Sequence, residues 1–219
     1  MLQNEVWEKL FQREYGRYPA EHLIRFIARN YYRAERGSTK ILEVGCGPGA
    51  NIWYLSREGF DTYGIDGSPT AIASAKLLLS KDHLSANLAT GDIVRLPYMN
   101  AHFDAVIDNE CIYSNNLSDS HAMMSEVERV LKKDALFFSR TFSCDMYVGK
   151  DAVKVNDYEY LEATDGPLAH TGRFRLIDEN GIKELYGVHF DILSIDKMDY
   201  TRDNRSIMIS EWIIVCGKR

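Results

Sequence analysis

The stretch Ile41-Leu42-Glu43-Val44-Gly45-Cys46-Gly47-Pro48-Gly49-Ala50 decides the fold. An apolar run ends in three glycines at alternate positions, and a helix-like segment, Asn51 to Arg57, follows. The pattern predicts a strand, a tight turn and a helix N-terminus. Gly45 and Gly47 let the backbone approach a ligand where a Cβ would intrude. Free N–H groups at the helix start then face whatever occupies the turn, often a carboxylate or phosphate. Taken alone the signal is not specific. Gly45-x-Gly47-x-x-Ala50 also fits the dinucleotide fingerprint, and glycine turns occur with no ligand at all.

Working outward, Thr62 to Asp66 reads as a second strand ending on an acid, and Gly67-Ser68-Pro69 opens a helix from Thr70 to about Ser80. Ser68 is its expected N-cap and Pro69 its first residue. Ala86 to Asp92 is a weaker third strand, Phe103 to Asp108 a clear fourth, Ser118 to Leu131 a helix and Ala135 to Phe142 a fifth strand. Strands this apolar, alternating with helices, imply a parallel sheet covered on both sides. Ligands of such sheets bind at the carboxyl ends of the strands, where Gly45, Asp66, Asp92, Asp108 and Asn109 gather.

Before this core, residues 1 to about 36 carry two amphipathic helices, with Val6, Leu10 and Phe11 on one face and Leu23, Ile24, Phe26 and Ile27 on the next. Pro19 is expected in the first turn of the second helix. These helices are expected to pack on the core; a sharper reading makes Trp7, Tyr15 and Tyr18 part of a lid over the glycine loop. After the fifth strand the pattern fails over residues 143–176, and a long irregular stretch in a compact domain is usually functional or mobile. A helix, Ile177 to Tyr186, and two strands, Val188 to Met198 and Ser206 to Cys216, close the chain, the strands antiparallel across the turn Asp199 to Arg205.

The expected fold is therefore α/β: a doubly wound, Rossmann-like sheet of seven strands, mostly parallel, with a C-terminal antiparallel hairpin, helices on both faces and an N-terminal helical cap. The chain is read as a single domain over 1–219, divided into a cap (1–36), a cofactor-binding half (37–142), a substrate-side insertion (143–176) and a closing helix and hairpin (177–219).

Composition narrows the function. The 219 residues suffice for one sizeable core. A net charge of −6 with no Lys/Arg stripe disfavours nucleic acid as the main partner. No apolar run is long enough to span a bilayer, and the amino end lacks the basic-then-apolar pattern of a secretion signal. Cys46, Cys111, Cys144 and Cys216 are widely separated, so they read as reduced thiols of a cytoplasmic protein, not as a disulfide frame or zinc site. No His/Asp/Glu cluster has ligand spacing, so no metal is expected.

With these residues in view, the chain resembles the class I S-adenosylmethionine-dependent methyltransferases over about residues 38–142. Leu42 to Gly49 is similar to that family's glycine motif, including Glu43; Asp66 falls where the family carries an acid after its second strand. Gly91-Asp92 and Leu131-Lys132-Lys133-Asp134 look like the motifs that follow. The resemblance implies S-adenosylmethionine as cofactor and S-adenosylhomocysteine as product. It assigns cofactor binding to Glu43, Gly45, Cys46, Gly47, Gly49, Asp66, Gly67, Ser68, Gly91, Asp92, Ile93, Asp108 and Asn109. On that reading Asp66 accepts both ribose hydroxyls, Asp92 accepts from the adenine amino group, and Ile93 packs the ring and offers its N–H. The glycine loop meets the amino-acid part, and Glu43 orders the loop or receives the cofactor ammonium through water.

Two alternatives stand beside it. Asp66 lies 21 residues after Gly45, which also suits an NAD-type dinucleotide-dependent oxidoreductase. The acid at Gly91-Asp92, the closing hairpin and the lack of a Tyr-x-x-x-Lys pair argue against that. The other alternative is a cofactor-binding partner subunit without turnover.

Methyl transfer from a sulfonium is an in-line displacement in which orientation and water exclusion supply much of the effect. A base is needed only where the nucleophile must lose a proton. The run Asp108-Asn109-Glu110-Cys111-Ile112-Tyr113-Ser114-Asn115 would lie beside the reacting methyl. It lacks the Asn/Asp-Pro-Pro-Tyr/Phe and Pro-Cys signatures of nucleic-acid methylating enzymes, which points to a small molecule or glycan precursor as acceptor. Asp108 and Glu110 are the first catalytic candidates, followed by Tyr113, His121, Tyr147 and His170. Arg173 and Arg175 are read either as a fork for an anionic substrate or as salt-bridged surface residues. The expected assembly is a monomer or a homodimer.

Overall fold

The computed structural model describes residues 3–12, 16 and 18–219. Two helices, α1 (Gln3–Leu10) and α2 (Glu21–Tyr31), precede the alternating core of β1 (Lys40–Val44), α3 (Ala50–Arg57), β2 (Asp61–Asp66), α4 (Pro69–Lys81), β3 (Asn87–Thr90), β4 (Phe103–Asn109), α5 (Leu117–Val130) and β5 (Leu131–Phe142). Three short strands follow, β6 (Val153–Lys154), β7 (Glu159–Leu161) and β8 (Phe174–Arg175), then α6 (Glu179–Leu185), β9 (Phe190–Arg202) and β10 (Ile207–Lys218).

The main sheet has seven strands in the order β3-β2-β1-β4-β5-β10-β9. Strands β3, β2, β1, β4 and β5 are parallel, whereas β10 pairs antiparallel with both β5 and β9. The period-two alternation of side chains sorts the core into two layers. Leu42, Val44, Val106, Phe137 and Ile214 pack on the face covered by α5 and α6. Their neighbours Ile41, Ala105, Ile107, Phe138 and Ile213 pack on the opposite face against Leu23, Phe26 and Ile27 of α2 and Leu55 of α3. Strands buried on both faces have no polar side, which is why they read as continuous apolar runs. β1 lies between β2 and β4, so strand order reverses there and a crevice opens beyond the carboxyl ends of β1 and β4.

The structure departs from expectation in three places. Pro19 stands outside α2: Ala20 is the N-cap, and its N–H is taken by Asn51 Oδ1 at 3.0 Å. Residues 143–176 are not patternless, since β6, β7 and β8 form a second sheet. Phe142, Met146, Leu168, Phe174, Leu176 and Ile209 make a core beneath it. Two- and three-residue strands are too short to carry a period. The closing hairpin is longer than expected, with β9 running on to Arg202 and a register shift between Val215 and Cys216. A single 3-10 turn, Ile112–Ser114, follows β4.

Gly49 and Gly59 separate backbone strain from crowding. Both have left-handed φ, +89° and +88°; a Cβ on Gly59 would meet nothing, whereas one on Gly49 would lie 2.7 Å from the Cβ of Ala75 in α4. Gly59→Ala is expected to cost about 1 kcal/mol, the strain alone, and Gly49→Ala about 3 kcal/mol or more because α4 must also shift. Urea unfolding of both variants checks this; equal losses would contradict it.

Candidate functional site

The site is assembled around the Asp66 carboxylate at the end of β2. Oδ2 accepts the Gly47 N–H and Oδ1 the Ser68 N–H, each at 2.8 Å, so one side chain ties the loop after β1 to the turn after β2. Burial raises its pKa, and the two N–H donors oppose that rise. Gly45 has φ +64°, and a Cβ there would lie 2.1 Å from Cys111 Sγ, so the loops after β1 and β4 are in direct contact only because Gly45 has no side chain. Ser68 caps α4 by accepting the Ala71 N–H at 3.0 Å. Glu8 of α1 accepts from the Ser68 and Thr70 hydroxyls, which draws α1 across this end of the sheet.

Under α1 lies a cavity of about 430 Å³. Asp66, Gly67 and Ser68 line one side and Gly91, Asp92 and Ile93 another, with Trp7 and Phe11 over them, stacked at 5.6 Å. Asp92 is exposed and caps a 3-10 turn by accepting the Val94 N–H at 3.1 Å, while Ile93 is buried.

A second cavity, about 490 Å³, adjoins the first. Glu43, Gly47, Gly49 and Asn109 are among its lining residues. Tyr113, Phe142, Met146, Leu168 and Ile209 form an apolar wall, and Glu110, Arg140, Tyr200, Arg202 and Glu211 a charged one. Trp7, Phe11, Gly45 and Glu110 line both cavities.

Among the described residues, two buried acceptors near the glycine loop lack donors. Glu43 Oε1 accepts from Asn51 Nδ2 at 2.6 Å, but within the described residues its Oε2 has no partner, nor has Asn109 Oδ1. Burial pushes the Glu43 carboxyl up to about 8. Glu110 stands at a left-handed φ of +60°, its Oε1 3.1 Å from Arg140 Nη2. Arg140 makes closer contacts with the buried Glu211, at 2.6 and 2.7 Å. Burial, with Glu211 and Asp108 nearby, pushes Glu110 up to about 7 against the pull of Arg140.

Several expected site residues are placed otherwise. Asp108 is fully buried and reaches neither cavity: Oδ1 accepts the Cys111 and Ile112 N–H groups at 2.9 and 3.1 Å, and Oδ2 accepts the Ser139 hydroxyl at 2.6 Å. It orders the loop after β4 instead of meeting cofactor or substrate. His121 faces His189 across 3.5 Å, and His170 is exposed on a loop; both are outside the cavity linings, a correction to their expected catalytic place. Tyr147 is also outside, donating to Asp165. Tyr113 does line the second cavity, edge-on to Phe142 at 4.8 Å. Arg175 is neither a substrate fork nor a surface ion pair. It is buried and donates to the Ile112 and Asn115 carbonyls and the Ser120 hydroxyl, fixing the 3-10 turn. Arg173 pairs with Glu159 at 2.7 Å. Cys46 packs its side chain among Ile52, Ile72 and Leu79. Of the expected lid, Trp7 lines both cavities, Tyr18 is 88% exposed, and Tyr15 lies outside the described residues. Among the described residues no three side chains are grouped to hold a metal ion.

The sequence reading missed Glu8, Asn51, Arg140 and Glu211. A signal existed for the last two: each is a charge inside an aromatic or apolar strand, Phe137 to Phe142 and Ile209 to Val215, where a charge needs a buried partner.

The methyltransferase domain family matches residues 42–139. An uncharacterised methyltransferase of Synechocystis sp. is 30% identical over 98 residues, which cover 45% of this chain and 44% of that protein. The matched stretch thus spans less than half the length of such curated relatives. Among solved structures, a SAM-dependent methyltransferase of Methanosarcina mazei is similar with a TM-score of 0.72 at 19% identity, covering 88% of this chain and 96% of that one. The 1,6-didemethyltoxoflavin-N1-methyltransferase of Burkholderia thailandensis, solved with bound 1,6-didemethyltoxoflavin and S-adenosylhomocysteine, gives a TM-score of 0.65 at 16% identity, covering 98% of this chain and 88% of that one. At these identities the structural likenesses establish the fold.

The raised pKa values have a consequence for stability. Glu43 and Glu110 keep their protons to about 8 and about 7 in the folded chain, against an ordinary 4.5. Between those limits the folded state binds more protons than the unfolded state, so stability falls as pH rises through that window. The urea midpoint is expected to drop between about pH 5 and about pH 8, and Glu43→Gln to flatten the drop. A midpoint that rises over that range would contradict the assignment.

Proposed function

We propose, from the match of residues 42–139 to the methyltransferase domain family, that the chain transfers a methyl group from S-adenosylmethionine to a small-molecule acceptor. The observation that carries the proposal is the meeting of a nucleoside-sized cavity and a half-apolar cavity across Gly45 and Glu110. The residues present fit the cofactor. The orphaned Glu43 Oε2 and Asn109 Oδ1 are two acceptors that suit an ammonium group, the glycine loop offers N–H groups to a carboxylate, and Asp66 and Asp92 offer acceptors for ribose and adenine. Asp66 retains one lone pair on each oxygen beyond the N–H groups it already accepts.

S-adenosylmethionine supplies an activated methyl group on a positively charged sulfur. The chain's own residues orient, shield and deprotonate. Trp7 and Phe11 cover both cavities and exclude water. Tyr113, Phe142, Met146, Leu168 and Ile209 suit an acceptor with an apolar body. Glu110, whose pKa is close to neutral, is placed to take the proton from a hydroxyl or amine nucleophile. The loops over residues 143–176 supply Met146 and Leu168 to this wall, which supports their reading as the substrate-side part of one domain.

Calorimetric titration with S-adenosylhomocysteine, with NAD as control, tests the proposal. Micromolar binding of the former alone is expected, weakened about tenfold by Asp92→Ala, which removes an exposed acceptor. Asp66→Ala is expected to lose both binding and stability, because it frees two backbone N–H groups. NAD binding without S-adenosylhomocysteine binding would overturn the function in favour of the oxidoreductase.

A further inference from the structure

Among the described residues four line both cavities, and of these Glu110 is the ionisable one. On the function proposed above, the transferable methyl and the sulfur that bears it belong at this junction, where donor and acceptor pockets meet. That sulfur is positively charged in the donor and neutral in the product. The other junction side chains, Trp7 and Phe11, are aromatic, and their π faces also favour a cation.

The charged surroundings of Glu110 leave it available. Arg140 of β5 is held closest by Glu211 of β10, at 2.6 and 2.7 Å, and reaches Glu110 only through one contact of 3.1 Å. Asp108, two residues earlier on β4, is already satisfied by two N–H groups and a hydroxyl. From β9, Tyr200 and Arg202 border the same cavity, and Cys111 follows in the chain with its thiol pushed up by burial. Among the described residues one shared arginine thus stands between two carboxylates, and Glu110 has the weaker claim on it.

We propose that Glu110 recognises the positive charge of the donor sulfur and so sets the preference of the site for S-adenosylmethionine over S-adenosylhomocysteine. A neighbouring positive charge favours the carboxylate form. With its pKa pushed up to about 7, Glu110 is partly protonated at neutral pH in the free chain and loses that proton when the donor binds. Loading the donor therefore converts Glu110 to the form able to accept a proton. In transfer, the acceptor lone pair forms the bond to the methyl carbon and the carbon–sulfur pair stays on sulfur. The acceptor proton passes to Glu110, which becomes neutral as the sulfur does.

Calorimetry of both ligands at about pH 6 and about pH 8, on wild type and Glu110→Gln, tests this without an acceptor. The ligands share the amino-acid group that Glu43 and the glycine loop meet, so their affinity ratio isolates the sulfur. In wild type the preference for S-adenosylmethionine is expected to rise about tenfold from the lower to the higher pH. Glu110→Gln is expected to remove most of that rise and leave S-adenosylhomocysteine affinity within about twofold. Any titration of the donor's own amino group persists in the variant and serves as its baseline. Glu211→Gln gives Arg140 wholly to Glu110, lowers its pKa and meets its charge, and is expected to shrink the rise of the preference with pH. A ratio in Glu110→Gln equal to that of wild type at both pH values would overturn the inference while leaving the function standing. A wild-type chain that binds neither ligand would overturn the function beneath it.

Discussion

The carboxylate of Asp66 is the contact on which the site depends. β1 and β2 are neighbours in a parallel sheet, so both loops emerge at the same end, and each brings N–H groups with no partner in the ladder. Asp66 answers one N–H from each loop with one oxygen. The glycine turn is thereby held in shape, the N-terminus of α4 is fixed beside it, and the first cavity acquires a defined floor. Glu8 extends the arrangement to α1 through the Ser68 hydroxyl, so the cover of the cavities is anchored on the same turn.

A second theme is the concentration of acids at the carboxyl end of the sheet. Glu43, Asp66, Asp108 and Glu110 all sit there, and burial raises the pKa of each. Their surroundings give them different tasks. Asp66 and Asp108 are consumed by backbone N–H groups and serve as braces. Glu43 and Glu110 keep unspent acceptor capacity, one beside the glycine loop and the other at the junction of the cavities. A pocket of buried carboxylates is costly when empty and is relieved by a ligand carrying positive charge, a property of S-adenosylmethionine.

Much of this was legible in the sequence, because a parallel sheet advertises itself through apolar runs that end in glycine or an acid. The alternation of strands and helices, the turn at Gly45 to Gly49 and the cap of α4 by Ser68 follow from local rules that act within a few residues. The site residues were harder where the role depends on distant partners. Asp108 looked like a base because it ends a strand, yet the turn at Ile112–Ser114 folds back and takes its lone pairs. Arg175 looked like a surface cation, yet it crosses to carbonyls some sixty positions away in the chain. The Arg140–Glu211 pair forms only because β10 inserts beside β5, a pairing that no local pattern announces.

Whether the two cavities are donor and acceptor pockets that meet at Glu110 is tested most directly by a crystal structure of the chain with S-adenosylhomocysteine. Adenosine is expected between Asp66 and Asp92, the amino-acid end at Glu43 and the glycine loop, and the sulfur at the junction formed by Trp7, Phe11, Gly45 and Glu110. A sulfur turned away from Glu110, or a ligand seated elsewhere, would contradict this placement.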